Sequence, residues 1–124
     1  MHNLSPVFIV DDDEGAADSV EALIVSHGFS AQVFHSAEQF LSDCDLDTSE
    51  CLIVDVRLPG MSGLELQDTL ISRGIRIPTI FVSGHADHEL KKRVLAHGAI
   101  DFLEKPFSGV QLLDIVRRVL SSPL

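Results

Sequence analysis

The sequence predicts an open α/β fold, a parallel sheet with helices on both faces, and three observations predict it. Five short apolar, β-branched runs recur along 124 residues, with helix-like segments between them. The first, third and fourth runs are almost wholly apolar, as strands are when helices cover both sides of a parallel sheet. Three of the intervening segments end at His27-Gly28, Arg73-Gly74 and His97-Gly98, and glycine takes the left-handed turn past a helix end without a Cβ clash. Five β-α alternations then imply right-handed crossovers within one sheet.

Residues 7–10 give the first strand. Residues 14–27 come next as a helix, because Ala17, Val20 and Ile24 recur at i, i+3 and i+7 as one apolar stripe. Residues 31–34 give the second strand, and 37–41 a short helix with Ser36 as its N-cap. The third strand covers 51–55, with Cys51 as a small core residue. Ser62 caps a helix over 63–73 that carries Leu66 and Leu70. The fourth strand is 79–82, its helix runs from Asp87 to near His97, and the fifth strand is 100–103. A last helix starts at Ser108 and ends near Ser121, with Leu113, Val116 and Leu120 inside.

Composition bounds the function. The chain weighs 13.5 kDa and carries 19 acidic against 9 basic residues, a formal net charge of -10. This length suits one domain that buries roughly two-thirds of its unfolded surface. At 45% hydrophobic residues it is no disordered acidic tail. The negative charge argues against binding nucleic acid or an anionic membrane through bulk charge. Cys44 and Cys51 make no disulfide framework and lack metal-ligand spacing, which fits a reducing cytosol. No apolar run approaches the roughly 18 residues of a membrane span, and Met1-His2-Asn3-Leu4 lacks the start of a signal peptide. A soluble cytoplasmic protein is the expectation. His27 and His97 sit at helix ends, and the other four histidines show no convergent spacing, so no zinc site is read.

The residues just past each strand carry the chemistry. Asp11-Asp12-Asp13-Glu14 follow the first strand, Asp55 ends the third, Ser83-Gly84 follow the fourth and Lys105-Pro106 the fifth. In a parallel sheet these groups converge at one edge, where ligands of such folds bind. Clustered carboxylates repel one another, so such a site has raised pKa values or holds a cation. Hard oxygen ligands select Mg²⁺ or Mn²⁺. A carboxylate is also a nucleophile able to form an aspartyl phosphate, with Lys105 and Ser83 placed to steady the transferring group. Singly, each residue has a plainer reading. Asp13 and Glu14 suit a helix entry, Ser83 a turn and Lys105 a solvated surface; the joint placement is what points to chemistry.

Val10-Asp11-Asp12, Asp55-Val56-Arg57-Leu58-Pro59-Gly60-Met61-Ser62-Gly63, Ser83-Gly84-His85 and Lys105-Pro106 resemble the receiver domain of two-component response regulators, over essentially the whole chain. The stretches 55–67, 83–87 and 98–107 look most like the FixJ-type branch, which usually joins a receiver to a C-terminal helix-turn-helix output domain of the LuxR type. The resemblance implies a flavodoxin-like, doubly wound (βα)5 fold with strand order 2-1-3-4-5. It implies a receiver over residues 1–120, with 121–124 as the start of a linker to an output domain that is not in this chain.

The same resemblance assigns roles. Asp55 would be the phosphoacceptor. Asp11 and Asp12 would hold Mg²⁺ (Mn²⁺ is the other candidate), Asp12 directly and Asp11 partly through water, with Asp55 and the Arg57 backbone carbonyl completing the protein ligands. The triple aspartate leaves an Asp12/Asp13 register open, and the position of Asp11 directly after the strand favours Asp11/Asp12. Ser83 matches the hydroxyl position, often threonine, and Lys105 the phosphate-pairing lysine. Phe102 matches the switch aromatic, often tyrosine; without a hydroxyl its inward and outward positions differ by packing alone, and a plain core aromatic is the other reading. Arg57 and His85 occupy positions that tune access of hydrolytic water. The bond before Pro106 is commonly cis in the family, which an X-Pro bond makes accessible.

The implied function is phosphoryl transfer from a sensor histidine kinase, or a small phosphodonor, to Asp55. It would remodel the face made by the fourth helix, fifth strand and fifth helix, and control transcription through the output domain. The chain would not be a classical enzyme; its chemistry would be Mg²⁺-dependent self-phosphorylation and dephosphorylation at Asp55. Lys91-Lys92-Arg93 could pair with Asp101 or Glu104 of a second copy in a phosphorylation-favoured homodimer, or be a solvated helix face. Membrane contact is not expected, and DNA would be met only through the output domain. A stand-alone phosphorelay receiver is the alternative. A Mg²⁺-dependent aspartyl phosphatase fits less well, since haloacid-dehalogenase-like enzymes place the nucleophile after the first strand and need a cap. Flavin binding is opposed by the acidic first loop.

Overall fold

Val7–Val10 forms β1; Ala31–Phe34, Leu52–Asp55, Thr79–Ser83 and Asp101–Glu104 form β2 to β5. The helices are α1 (Glu14–Ser26), α2 (Ala37–Asp43), α3 (Gly63–Ser72), α4 (His88–Ala96) and α5 (Gly109–Ser121). The computed structural model describes residues 6–43, 50–84 and 88–121. Cys44, the start of the fourth helix at Asp87, His85 and the tail beyond 121 therefore lie outside the described residues.

All neighbouring strands pair in parallel, in the order β2-β1-β3-β4-β5. This is the doubly wound order that the resemblance implied. Alternate strand residues point to opposite faces, and the core is split accordingly. Phe8, Val10, Leu52, Val54 and Phe81 pack with Phe40, Leu66, Leu70 and Val94 from α2, α3 and α4. Val7, Ile9, Ile53, Ile80 and Val82 pack with Ala17, Ile24, Leu112 and Val116 from α1 and α5. The chain adds β2 beside β1 and then crosses to place β3 on the other side of β1. The segments leaving β1 and β3 thus depart toward opposite faces and open a crevice between them, the usual ligand position in this architecture.

The helix starts are chemically specified. Ser36 Oγ accepts the Gln39 N–H at 3.0 Å. Ser62 and Glu65 form a reciprocal capping box, and Ser108 Oγ accepts the Val110 N–H at 3.1 Å. Each such cap satisfies an orphan donor and stabilises the helix by about 1 kcal/mol. Boundaries shift by a residue or two from those expected of the sequence. His27 and Arg73 are C-caps rather than last helical residues, because Gly28 and Gly74 turn the chain at positive φ immediately after them. The helix expected over 37–41 runs on to Asp43. β3 begins at Leu52; Cys51 before it is buried, and burial pushes its thiol up to about 12. β4 reaches Ser83 because Ser83 pairs with Glu104, and β5 covers Asp101–Glu104 rather than 100–103. Among the described residues, no helix is long and apolar enough to cross a membrane.

Candidate functional site

Parallel pairing brings the carboxyl ends of four strands to one edge. Val10 is in register with Val54, Asp55 with Val82 and Ser83 with Glu104. Asp11, Asp55, Ser83 and Lys105 therefore stand at the rim of one crevice although they come from four strands.

Asp11 and Asp55 are buried, at 4% and 8% exposure, and Asp12 is exposed. One carboxylate oxygen from each of the three lies within 4.8 Å of the others. Lys105 joins the two buried acids. Its Nζ donates to Asp11 Oδ2 at 2.8 Å and to Asp55 Oδ2 at 2.9 Å. The remaining oxygens are satisfied in parallel fashion: Asp11 Oδ1 accepts the Asp13 N–H at 3.0 Å, and Asp55 Oδ1 accepts the Arg57 N–H at 2.8 Å. Each acid thus closes an Asx-type turn over its own loop and presents its other oxygen to the lysine. Burial pulls the Lys105 ammonium pKa down, but the hydrogen bonds and charges of Asp11 and Asp55 outweigh it and hold the pKa above that of an ordinary lysine. The lysine is anchored through its backbone too, its N–H donating to the Ser83 carbonyl at 2.8 Å.

Three carboxylates share one ammonium here. That leaves two negative charges uncompensated among hard oxygen donors, a donor set that fits a divalent cation such as Mg²⁺. Asp13, by contrast, spends its carboxylate on the α1 N-cap, accepting the Ala16 N–H at 3.2 Å. The grouping with Asp55 therefore falls on Asp11 and Asp12, and the helix-entry reading fits Asp13.

Ser83 is fully buried at the end of β4. Phe102, opposite Phe81 in the β4–β5 pairing, is 5% exposed and belongs to the core cluster with Val94. Its ring therefore lies inside the core, as the plain core-aromatic reading also has it. The Arg57 side chain is exposed, while its backbone N–H holds Asp55. The Lys105-Pro106 bond is cis. Lys91, Lys92 and Arg93 lie exposed along α4.

Sequence reasoning missed three supporting residues. Gly63 lies against the phosphoacceptor candidate so closely that a Cβ there would sit 2.5 Å from the Asp55 carbonyl oxygen. A ring nitrogen of His35 lies 3.2 Å from the Asp11 carbonyl. Glu38 Oε2 accepts the Met61 N–H at 2.9 Å, and this bond holds the Glu38 carboxyl below its ordinary value. The glycine after Ser62 was a visible signal for the first. Nothing marks the other two in sequence, because their partners are backbone groups of distant loops.

The family description of the response regulator receiver domain matches residues 7–117. The chain belongs to the response regulator receiver family. This receiver is 41% identical over 116 residues to the response regulator protein TodT of Pseudomonas putida, covering 94% of this chain and 51% of TodT. It is 40% identical over 116 residues to the transcriptional regulatory protein FixJ of Azorhizobium caulinodans, covering 93% of this chain and 54% of FixJ. The crystal structure of FixJ-N matches the receiver with a TM-score of 0.86 at 34% identity, over 100% of this chain and 98% of that one. The receiver spans about half the length of the curated relatives it matches.

Proposed function

We propose that this receiver takes a phosphoryl group onto Asp55 from a sensor histidine kinase, or from a small phosphodonor. The observation that carries the reading is Lys105 held between Asp11 and Asp55 at 2.8 and 2.9 Å, with Asp12 alongside. Asp11, Asp12, Asp55 and the Arg57 backbone carbonyl would hold Mg²⁺. When bound, the ion supplies charge neutralisation for the transferring phosphoryl oxygens.

The protein's own residues account for the rest. One carboxylate oxygen of Asp55 attacks phosphorus; an O–P bond forms as the P–N bond to the donor histidine breaks, and the imidazole nitrogen keeps the electron pair. The loops on either side hold that carboxylate through the Arg57 N–H and the Lys105 ammonium, so little reorganisation is needed to reach the attacking geometry. Lys105 then follows the negative charge from the aspartate to a phosphoryl oxygen, and the Ser83 hydroxyl donates to another. Drawing Ser83 toward the phosphoryl group shifts the balance between two packings of the β4–α4 region, with Phe102 behind it. Phe102 is already inside, so the shift lies in how firmly it is held there.

Residues 1–120 act in this reading as the receiver, with 121–124 beginning a linker. The relative FixJ is a transcriptional regulatory protein about twice the length of this receiver, which supports transcription control through a further domain. A cytoplasmic site accords with a kinase-fed reaction. The Lys91–Arg93 run, with Asp101 and Glu104, offers charges for a phosphorylation-dependent homodimer on the α4-β5-α5 face. Intact mass after incubation with acetyl phosphate and Mg²⁺ tests the chemistry. Wild type is expected to gain one phosphoryl mass and Asp55→Asn none. A full gain by Asp55→Asn would overturn the site, and no gain by wild type with a cognate kinase would overturn the mechanism.

A further inference from the structure

We propose that Glu38 is a positioning residue for the phosphoacceptor loop, a brace from α2 that fixes the backbone between Asp55 and α3. This rests on the reading of the Asp55 centre as a Mg²⁺ site. An acid in the first turn of a helix ordinarily needs no further account, because the helix dipole favours it there. Glu38 does something else. Its carboxylate reaches across to a backbone 23 residues further on and accepts the Met61 N–H at 2.9 Å. Gly60 turns the chain there at φ +73, and a Cβ on it would lie 2.7 Å from Glu38 Oε2. The carboxylate therefore lies directly against the Gly60–Met61 backbone, in space that only glycine leaves free.

The loop is pinned at both ends by other means. At its start the Arg57 N–H holds Asp55 Oδ1. At its end the Gly63 N–H bonds the Val56 carbonyl at 3.0 Å, and the Ser62–Glu65 box locks the helix start. Between these anchors runs the backbone that carries the Arg57 carbonyl assigned to the metal. Glu38 adds a polar brace from another helix at Met61, just before the Ser62 cap, beside the buried Leu58 and the partly buried Met61 side chain. The same β2–α2 junction also reaches the other acidic loop, through His35 at the Asp11 carbonyl. A segment that contributes no ligand thus holds the backbone of both loops that do. Outer partners of metal ligands set ligand geometry and, through it, affinity.

The experiment uses the whole chain as wild type and as Glu38→Ala, Glu38→Gln and Glu38→Asp, with calorimetric Mg²⁺ titration and the Met61 amide resonance as readouts. Removing the brace in Glu38→Ala is expected to weaken Mg²⁺ binding about tenfold, the low end of outer-partner effects, and to move the Met61 amide proton upfield. Glu38→Gln keeps an oxygen that accepts the same N–H, so it is expected to restore both readouts. Glu38→Asp keeps the charge on an arm too short to reach, so it is expected to behave as Ala. At saturating Mg²⁺ the phosphorylation rate of Glu38→Ala should return to the wild-type value, which general loosening of the fold would not produce. Unchanged Mg²⁺ affinity in Glu38→Ala overturns the brace, as does equal loss in Ala and Gln with Asp spared, the pattern of a remote charge. Failure of wild type itself to bind Mg²⁺ would instead overturn the reading of the centre.

Discussion

The two loops that bring acids to the crevice solve one problem by different means. Both place a buried aspartate at a strand end and tie its Oδ1 to the N–H two residues on. The loop after β1 then enters α1 at once, with Asp13 as its N-cap. Its turn and helix entry are local, and from elsewhere it receives Lys105 at Asp11 Oδ2, the bond of the Asp11 N–H to the Phe34 carbonyl and the His35 contact. The loop after β3 travels further before α3 begins, and it is held by Gly63 against Asp55, by the Ser62 box and by Glu38 from another helix. A short loop can be set by its own sequence, whereas a longer one needs tertiary contacts, because each free residue adds conformational entropy to be overcome. In this receiver the residue read as the phosphoacceptor sits on the longer loop, whose far end is held by its own helix start and by a side chain from α2.

The contrast can be broken at Gly63. Alanine there would drive its Cβ to 2.5 Å from the Asp55 carbonyl, a backbone atom with nowhere to retreat. Stability in urea is expected to fall by about 1–3 kcal/mol, the usual cost of overpacking, and phosphoryl uptake should fall with it as Asp55 is displaced. Asp13→Ala probes the other loop. It removes the α1 cap and should cost about 1 kcal/mol, yet phosphoryl uptake should stay near wild type, since the backbone N–H of residue 13 still holds Asp11. If Asp13→Ala impairs uptake as much as Gly63→Ala, the two loops are not different in kind.

The smallest effect sharpens the contrast through pH. The folded Glu38 carboxyl lies below its ordinary value of 4.5, chiefly through the Met61 N–H. A group whose pKa is depressed on folding contributes its stability above the unfolded value and loses it as pH falls through the folded one. The Met61 amide shift should therefore hold steady from neutrality down past 4.5 and move only at more acid pH. A midpoint at or above 4.5 would mean that the carboxylate does not hold this backbone.

Much of the molecule was legible because its determinants are local. The apolar runs marked the strands, Ser36 and Ser62 marked helix starts, and Gly28 and Gly74 marked stops; His27 and Arg73 were misjudged by one residue because a cap looks like helix to a periodicity argument. The site was legible in outline, since a parallel sheet must bring Asp11, Asp55, Ser83 and Lys105 to one edge. What the residues could not reveal is which contacts form across that edge. Lys105 bridging both buried acids is a fact of side-chain reach, and Glu38 on the Met61 N–H joins a side chain to a backbone group that any residue but proline would offer. The buried ring of Phe102 likewise depends on packing around α4, which no sequence period records.

The Lys105 bridge ties together residues 94 and 50 positions apart. Its lysine comes after the last strand, so the bridge is the final part of the centre to come off the ribosome. A chain that has made β1 to β4 has its acids but no cation between them. In the reading of Asp55 as the phosphoacceptor, the order of synthesis thus brings the cation to its acids only once all five strands of the receiver have been made.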